Sequence, residues 1–232
     1  MATPGHEFKR PATVAQDVYR HLRSQLLSGA LRGGSWLREQ EVAATLSVSR
    51  TPVREAIRQL AQEGLVTLEA NRGVRVHEPT LAEAVATYEV RERLEGMAAR
   101  LAATRSPEHG KTARNSLRAK LKAMLAIPDH DYAGHIEADN EFHLCVAGLS
   151  DNPILLELVD RLNTRVNRVK VLTRHVNSTP AAHQQHEDIA AAIIDGDPDL
   201  AERRMAEHIR ANLEIVEEHF RSSATATREG AA

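Results

Sequence analysis

The sequence predicts a mainly α protein with a short strand pair near its N-terminus. Three observations carry this. Of the 232 residues 42% are hydrophobic but only 3% aromatic, a balance rich in Ala, Leu and Val that suits helices packed on helices. A capping residue precedes Pro at Ser106-Pro107, Asn152-Pro153, Thr179-Pro180 and Asp197-Pro198, the punctuation of helix starts. Only the stretch from Leu65 to Val76 alternates apolar and polar residues as paired strands do.

Residues 1–11 read as a polar leader. Thr13 and Gln16 form a capping box. Val14, Val18, Leu22 and Leu26 then step by four along a helix that Gly29 ends. Gly33, Gly34 and Trp36 make the connection, with Trp36 expected as a hydrophobic plug rather than a base-stacking residue. Val42, Ala43 and Leu46 stripe a short helix, and Val48 marks a turn. Ser49 is the expected N-cap of a second helix running to about Glu63, with Pro52 in its first turn. Val53, Ala56, Ile57 and Leu60 form the buried face of that helix, which leaves Arg50, Thr51 and Arg54 off the stripe. They sit at its N-terminal end, the end with which a reading helix enters the major groove of DNA. Beyond Gly64, Leu65–Glu69 reads as a strand, residues 71–73 as a turn, and Val74–Val76 as the returning strand. The sum is a winged helix-turn-helix DNA-binding domain over residues 1–78.

His77-Glu78-Pro79-Thr80 is the junction. Thr80 and Glu83 form a second capping box, starting a helix to about Thr104. A helix from about Asp129 to Leu149 joins those started at the four Pro pairs. Residues 79–232 therefore read as an all-α antiparallel helical bundle of six helices without strands, with a disordered tail after about residue 222.

Charge divides along the same line. Residues 1–78 carry 11 Lys+Arg against 8 Asp+Glu, whereas residues 79–232 carry 19 against 24. A slightly basic head on an acidic body fits nucleic acid bound at one end only and argues against a chain coated in it. The lone Cys145 excludes an internal disulfide and reads as a small buried apolar residue. No apolar run reaches membrane-spanning length and no signal peptide is visible, so the expected location is cytoplasmic.

The segments VSRTPVREAIRQLAQEGLV and NRGVRV closely resemble the winged helix-turn-helix of the GntR family of bacterial transcription regulators. The resemblance implies that Arg50 and Arg54 read or clamp a double-stranded DNA operator. It implies that Ser49 and Thr51 assist, and that Arg72 and Gly73 place the wing in the minor groove. The chemistry agrees, since Arg bonds guanine O6 and N7 bidentately and small hydroxyls bond phosphate. Two positions depart from the pattern. Many relatives have Gly where this chain has Ser47, implying some turn strain. Many have Arg where it has Gln40, implying a changed base preference or a lost phosphate contact at that DNA-facing position.

Nine of the twelve His lie in residues 79–232. Asp139 and His143 share one helix face at a spacing of four, and His186 and His208 fall on two later helices. Three imidazoles and a carboxylate suit a divalent transition metal such as zinc, nickel or manganese, although spacing across separate helices leaves this open. Residues 81–221 resemble the FCD ligand-sensing domain of the FadR-type branch of that family. The matching segments are YEVRERLEGMAARLAA, DNEFHLCVAGLSDNP and QHEDIAAAIIDGDPDLAERRMAEHI. The resemblance implies that Asp139, His143, His186 and His208 hold the metal, with His183, three before His186, as a lesser alternative. It implies a small organic acid effector near the metal and Arg91 as its carboxylate partner, or else Arg91 as a helix-to-helix salt bridge. Asn163, Arg165 and Arg168 are further candidates for that partner.

The function expected is a homodimeric, metal-dependent, sequence-specific transcription regulator, a repressor rather than an enzyme. The alternative is a metal-dependent hydrolase-like enzyme with an accessory DNA-binding head. Against it, no additional acidic residue stands out as a general base. A nucleoid-type architectural protein is a third reading, which operator preference would separate.

Overall fold

The computed structural model describes residues 13–69, 72–173 and 180–229, with side chains described except at 106–109, 180 and 224–229. Helix α1 (Val14–Leu27) begins at the Thr13–Gln16 capping box and buries Val18, Leu22, Leu26 and Leu27, while Val14 points outward. Gly29, at φ 73°, turns the chain away after it. Next come β1 (Trp36–Leu37), α2 (Glu39–Thr45), α3 (Arg50–Gln62), β2 (Val66–Glu69) and β3 (Gly73–Val76). The sheet is antiparallel in the order β1-β3-β2, with Leu37 and Leu68 both in register with Val74.

Two expectations for this region need correction. Strand β1 was missed because two residues carry no readable alternation. Its pairing also decides Trp36. Successive strand residues face opposite ways, so burying Leu37 turns Trp36 out, and it is 44% exposed rather than a plug. Ser47 adopts φ 54°, the left-handed conformation that glycine takes at less cost. The tip of the wing at 70–71 lies outside the described residues.

The second part is helical throughout: α4 (Leu81–Leu125), α5 (Tyr132–Leu149), α6 (Pro153–Lys170), α7 (Pro180–Asp195) and α8 (Pro198–Glu229). Helix α4 is the spine, packing against α5, α6, α7 and α8. The expected boundary at Ser106-Pro107 is not where the chain breaks. Helix runs through it, and the interruption falls at Gly110, at φ 39° and ψ −110°, a backbone state open only to glycine. The tail also differs, for α8 continues past Ser222 to Glu229, in step with a stretch that holds no Gly or Pro before Gly230. The expected cap Thr179 lies outside the described residues.

Two apolar cores form. One fills the bundle with residues such as Leu117, Phe142, Ile189, Ile193 and Met205. The other gathers α1, α3 and the sheet and is completed by Ile136 of α5, fully buried among head residues, with Ala133 and Val171 packed beside it. Arg168 closes the same junction. Its guanidinium lies over Gly64, where an added Cβ would come within 2.9 Å of Arg168 Cζ.

Candidate metal centre and DNA-reading surface

The buried face of α3 is Val53, Ala56, Ile57 and Leu60, so helical geometry turns Arg50, Thr51 and Arg54 to solvent on its first turns. Ser49 stands at the N-cap in an extended conformation, yet its side chain makes no capping bond, contrary to expectation. The residue three on is Pro52, which has no N–H to donate. The hydroxyl therefore stays outward beside Arg50 and Thr51. Arg54 Nε is held 2.6 Å from Glu39 Oε2 on α2, whereas Arg50 makes no ion pair among the described residues. Gln40 is exposed on α2. Arg72 is exposed at the wing, 4.0 Å from Glu69, and Gly73 takes φ 110°. Gln40, Ser49, Arg50, Thr51, Arg54, Arg72 and Gly73 thus all lie on the exposed surface of the head.

The second constellation is deep inside the bundle. Asp139 and His143 on α5, His186 on α7 and His208 on α8 each offer one ligand atom, and these four atoms lie within 4.8 Å of one another. All four residues are buried. Asp139 Oδ1 is 3.3 Å from His186 Nε2, and Oδ2 is 3.6 Å from His143 Nε2. The His186 and His208 rings are 4.5 Å apart, and those of His143 and His208 stack at 5.3 Å. His208 has Gln185 Oε1 at 2.9 Å from Nδ1 and Asn212 Nδ2 at 3.1 Å from Nε2. That acceptor and donor favour the neutral ring with its proton on Nδ1, the form a ligand needs. His186 Nδ1 makes no hydrogen bond among the described residues. Buried nitrogens and a carboxylate converging without enough mutual hydrogen bonds are a donor set that a transition metal fits. His183 is half-buried with its ring 6.5 Å from that of His135, and it is not part of the four-residue group.

Two charged residues that sequence reasoning passed over complete the interior. Lys170, the last residue of α6, hydrogen-bonds through Nζ to Asp139 Oδ2 and, at 3.0 Å, to Asn140 Oδ1. Glu95 lies between Arg91 Nε at 2.6 Å and His143 Nδ1 at 2.5 Å. Arg91 also reaches 3.9 Å from Asp139 Oδ2, while its Nη1 and Nη2 make no hydrogen bond among the described residues. A signal for Lys170 existed. Asn163, Asn167 and Lys170 follow one another at helical spacing along the inner stripe of α6, where apolar residues belong. Asn163 is buried there with both amide atoms unpaired among the described residues. Arg165 is exposed and Arg168 sits at the head junction, so neither joins the centre.

Burial alone would raise the Asp139 carboxyl. Lys170 first, then His143 and His186, reverse this and hold it well below the usual range. Glu95 behaves alike: burial opposes, but Arg91 and His143 bring it down to about 2. Burial pushes His143 below its ordinary value against the pull of Glu95, and burial followed by the neighbouring imidazoles pushes His208 well below. Lys170 is lowered by burial despite Asp139. The centre thus favours ionised carboxylates at Asp139 and Glu95 and neutral imidazoles at His143 and His208, the protonation states that metal ligation requires.

Comparison with known proteins matches both parts of the chain. Residues 14–76 match the profile described as bacterial regulatory proteins, gntR family, and residues 86–211 match the FCD domain. The chain is 32% identical over 201 residues to a probable D-xylose utilization operon transcriptional repressor of Paenarthrobacter nicotinovorans, covering 87% of this chain and 88% of that one. It is 30% identical to the HTH-type transcriptional repressor RspR of Escherichia coli, covering 88% and 89%. Among solved structures, a putative GntR regulator from Rhodococcus aligns with TM-score 0.70 at 25% identity, covering 88% of this chain and 97% of the other. Escherichia coli McbR/YncC aligns with TM-score 0.71 at 23% identity over 90% and 100%, a likeness of fold.

Proposed function

The chain belongs to the GntR family of bacterial regulatory proteins, carries an FCD domain and is a DNA-binding transcription regulator; we propose that a small organic acid bound at the buried metal centre controls its grip on an operator. The observation that carries this is the convergence of Asp139, His143, His186 and His208, with Arg91 on the same interior and its Nη atoms making no hydrogen bond among the described residues. A divalent zinc, nickel or manganese ion held by those four residues supplies a Lewis-acidic contact for one carboxylate. Arg91 offers the planar fork that pairs with such a group. Within α4, Arg91 pairs with Glu95 through Nε, and the helix-to-helix contact weighed for it is Nη2 at 3.9 Å from Asp139 of α5, while neither Nη atom makes a hydrogen bond among the described residues.

DNA recognition is assigned to Arg50 and Arg54 for base edges, to Ser49, Thr51 and Gln40 for phosphate or neighbouring bases, and to Arg72 and Gly73 for the wing. Coupling has a physical route. Helix α5 carries Asp139 and His143, and one turn earlier Ile136 in the core of the head. Helix α6 ends in Lys170, adjacent to Val171 and two residues beyond Arg168 at the junction. A ligand that shifts either helix shifts the head.

A cytoplasmic homodimeric repressor, regulatory rather than catalytic, is the form proposed, since one head makes few contacts and dimers read two half-sites at fixed separation. Among the described residues no helix is long and apolar enough to cross a membrane. The hydrolase alternative gains no support from the relatives named above, which are transcription regulators.

The test is operator binding by the purified protein, followed by fluorescence anisotropy on DNA upstream of its own gene. Binding should be specific, should need two half-sites, and should change when metal-loaded protein meets the right acid but not after chelation. Light scattering should give about twice the 25.6 kDa chain mass. Operator binding unaffected by metal, chelator and a library of organic acids would remove the sensing role.

A further inference from the structure

The four candidate ligands are 1–3% exposed, so an ion that binds them needs a way in. Two further histidines mark one. His135 precedes Asp139 by four residues on α5, and His183 precedes His186 by three on α7. Both therefore stand about 4.5–6 Å nearer the N-terminal ends of their helices. Their rings lie 6.5 Å apart, so the pair repeats, one turn outward, the approach of Asp139 to His186.

This second layer carries unused chemistry. His135 Nε2 and His183 Nε2 are buried and make no hydrogen bond among the described residues. A buried imidazole nitrogen without a partner calls for an explanation. Exposure also rises in steps along this line. His135 is 4% exposed and His183 half-buried, while Asp129 and His130, just before α5, are exposed. Asp129 lies near enough for its charge to act on His183. Donors for a transition metal thus run from solvent to the centre.

Two imidazoles are too few to keep an ion. Zinc is held by four protein ligands in structural sites and by three in catalytic ones. Among the described residues, Asp139, His143, His186 and His208 are the one set of three or more such donors close enough to share an ion.

We propose that His135 and His183 form a transit site through which a divalent transition metal reaches and leaves the buried centre. This rests on the reading that the four deeper residues bind a metal, and it adds the route. An ion on the pair keeps water in its other positions and moves inward as Asp139 and His186 replace the two imidazoles. Such a site lowers the barrier in both directions and leaves the equilibrium where the four deeper residues set it.

Stopped-flow zinc loading of chelator-stripped full-length protein, and zinc loss to excess chelator, test this beside equilibrium titration with zinc. The variants are His135→Leu, His183→Ala and His183→Cys. His135→Leu and His183→Ala should bind zinc as tightly as wild type, while loading and loss both slow by about tenfold. His183→Cys keeps a ligand for zinc and should stay fast. Thermal melting shows whether each variant is folded, and if His135→Leu is not, the half-buried His183 decides.

Unchanged rates in folded His135→Leu and His183→Ala overturn the transit site. Weaker equilibrium binding with faster loss and normal loading makes the pair part of the resident site and overturns transit. His183→Cys as slow as His183→Ala shows that shape rather than ligation matters, and overturns it too. Wild type that binds no zinc overturns the metal reading itself and this inference with it.

Discussion

Arg50 and Arg54 differ in a way their spacing did not reveal. Both project from the start of α3, but Glu39 holds Arg54, whereas Arg50 makes no ion pair among the described residues. An arginine already paired must give up that contact to reach a base, or use it to aim its remaining N–H groups. Arg50→Ala should therefore weaken specific operator binding by about 1–3 kcal/mol, with little loss on unrelated DNA. Glu39→Ala should leave Arg50-dependent discrimination in place and alter that of Arg54. Anisotropy titrations on operator and scrambled duplexes measure both, and full operator affinity in Arg50→Ala would discard the assignment of α3 as the reading helix. At this level the sequence was informative about positions and silent about partners. Residue types at helical spacing announced the exposed face of α3. The missing cap bond of Ser49 followed from Pro52 three residues later and could have been read. The outward turn of Trp36 could not, because it depends on β1 pairing with β3 across nearly forty residues.

Helices α5, α7 and α8 meet at the candidate metal centre, each contributing a group that could ligate, while α4 supplies Arg91 and Glu95 and α6 supplies Lys170. An ion bound only in the native state ties three helices together and stabilises the fold by about 2.7 kcal/mol at a hundredfold excess over its dissociation constant. Loading with zinc should raise the melting temperature, and chelator should reverse the gain. His143→Ala and His208→Ala should melt without any response to zinc, whereas His219→Ala on the outer part of α8 should respond as wild type does. Elemental analysis of wild type and His143→Ala provides the direct check, and metal-free wild type after zinc-supplemented expression would leave an ordinary polar core. The convergence of the four candidate ligands was legible because three lie on conspicuous His-bearing helices and the fourth is four residues from one of them. Glu95 was not, and Lys170 showed only as the end of a polar row along the inner stripe of α6. A Lys at a helix end and a Glu four residues after an Arg ordinarily belong to solvent, and only tertiary packing takes them inside.

The molecule as a whole should be sensitive to acid. His143 and His208 have folded values below the ordinary 6.5, so the unfolded chain takes up their protons first as pH falls. Glu95, held at about 2 against an ordinary 4.5, acts with the same sign further down. Stability of the metal-free protein should thus be fully present above about pH 6.5, decline below it, and fall more steeply between about 4.5 and 2. Each proton bound only by the unfolded chain removes about 1.4 kcal/mol per pH unit. Denaturant melts in chelator across this range measure it, and a flat profile between pH 7 and 5 would show that the imidazoles are not buried neutral. The two-part architecture was visible in the charge division and the change of periodicity, but the place where the parts meet was not. A boundary at residue 78 follows the backbone, whereas the apolar core of the head borrows Ile136 from more than fifty residues downstream. The head is therefore not an interchangeable cassette. A fragment ending at the junction would carry an apolar socket opened to water, and a chimera joining this head to a related sensor would inherit whatever side chain that sensor presents in place of Ile136. Heads and sensors that recombine successfully should be those whose plug and socket match in volume. Partners with a reading surface of their own would then be constrained by a methyl group that touches neither DNA nor effector.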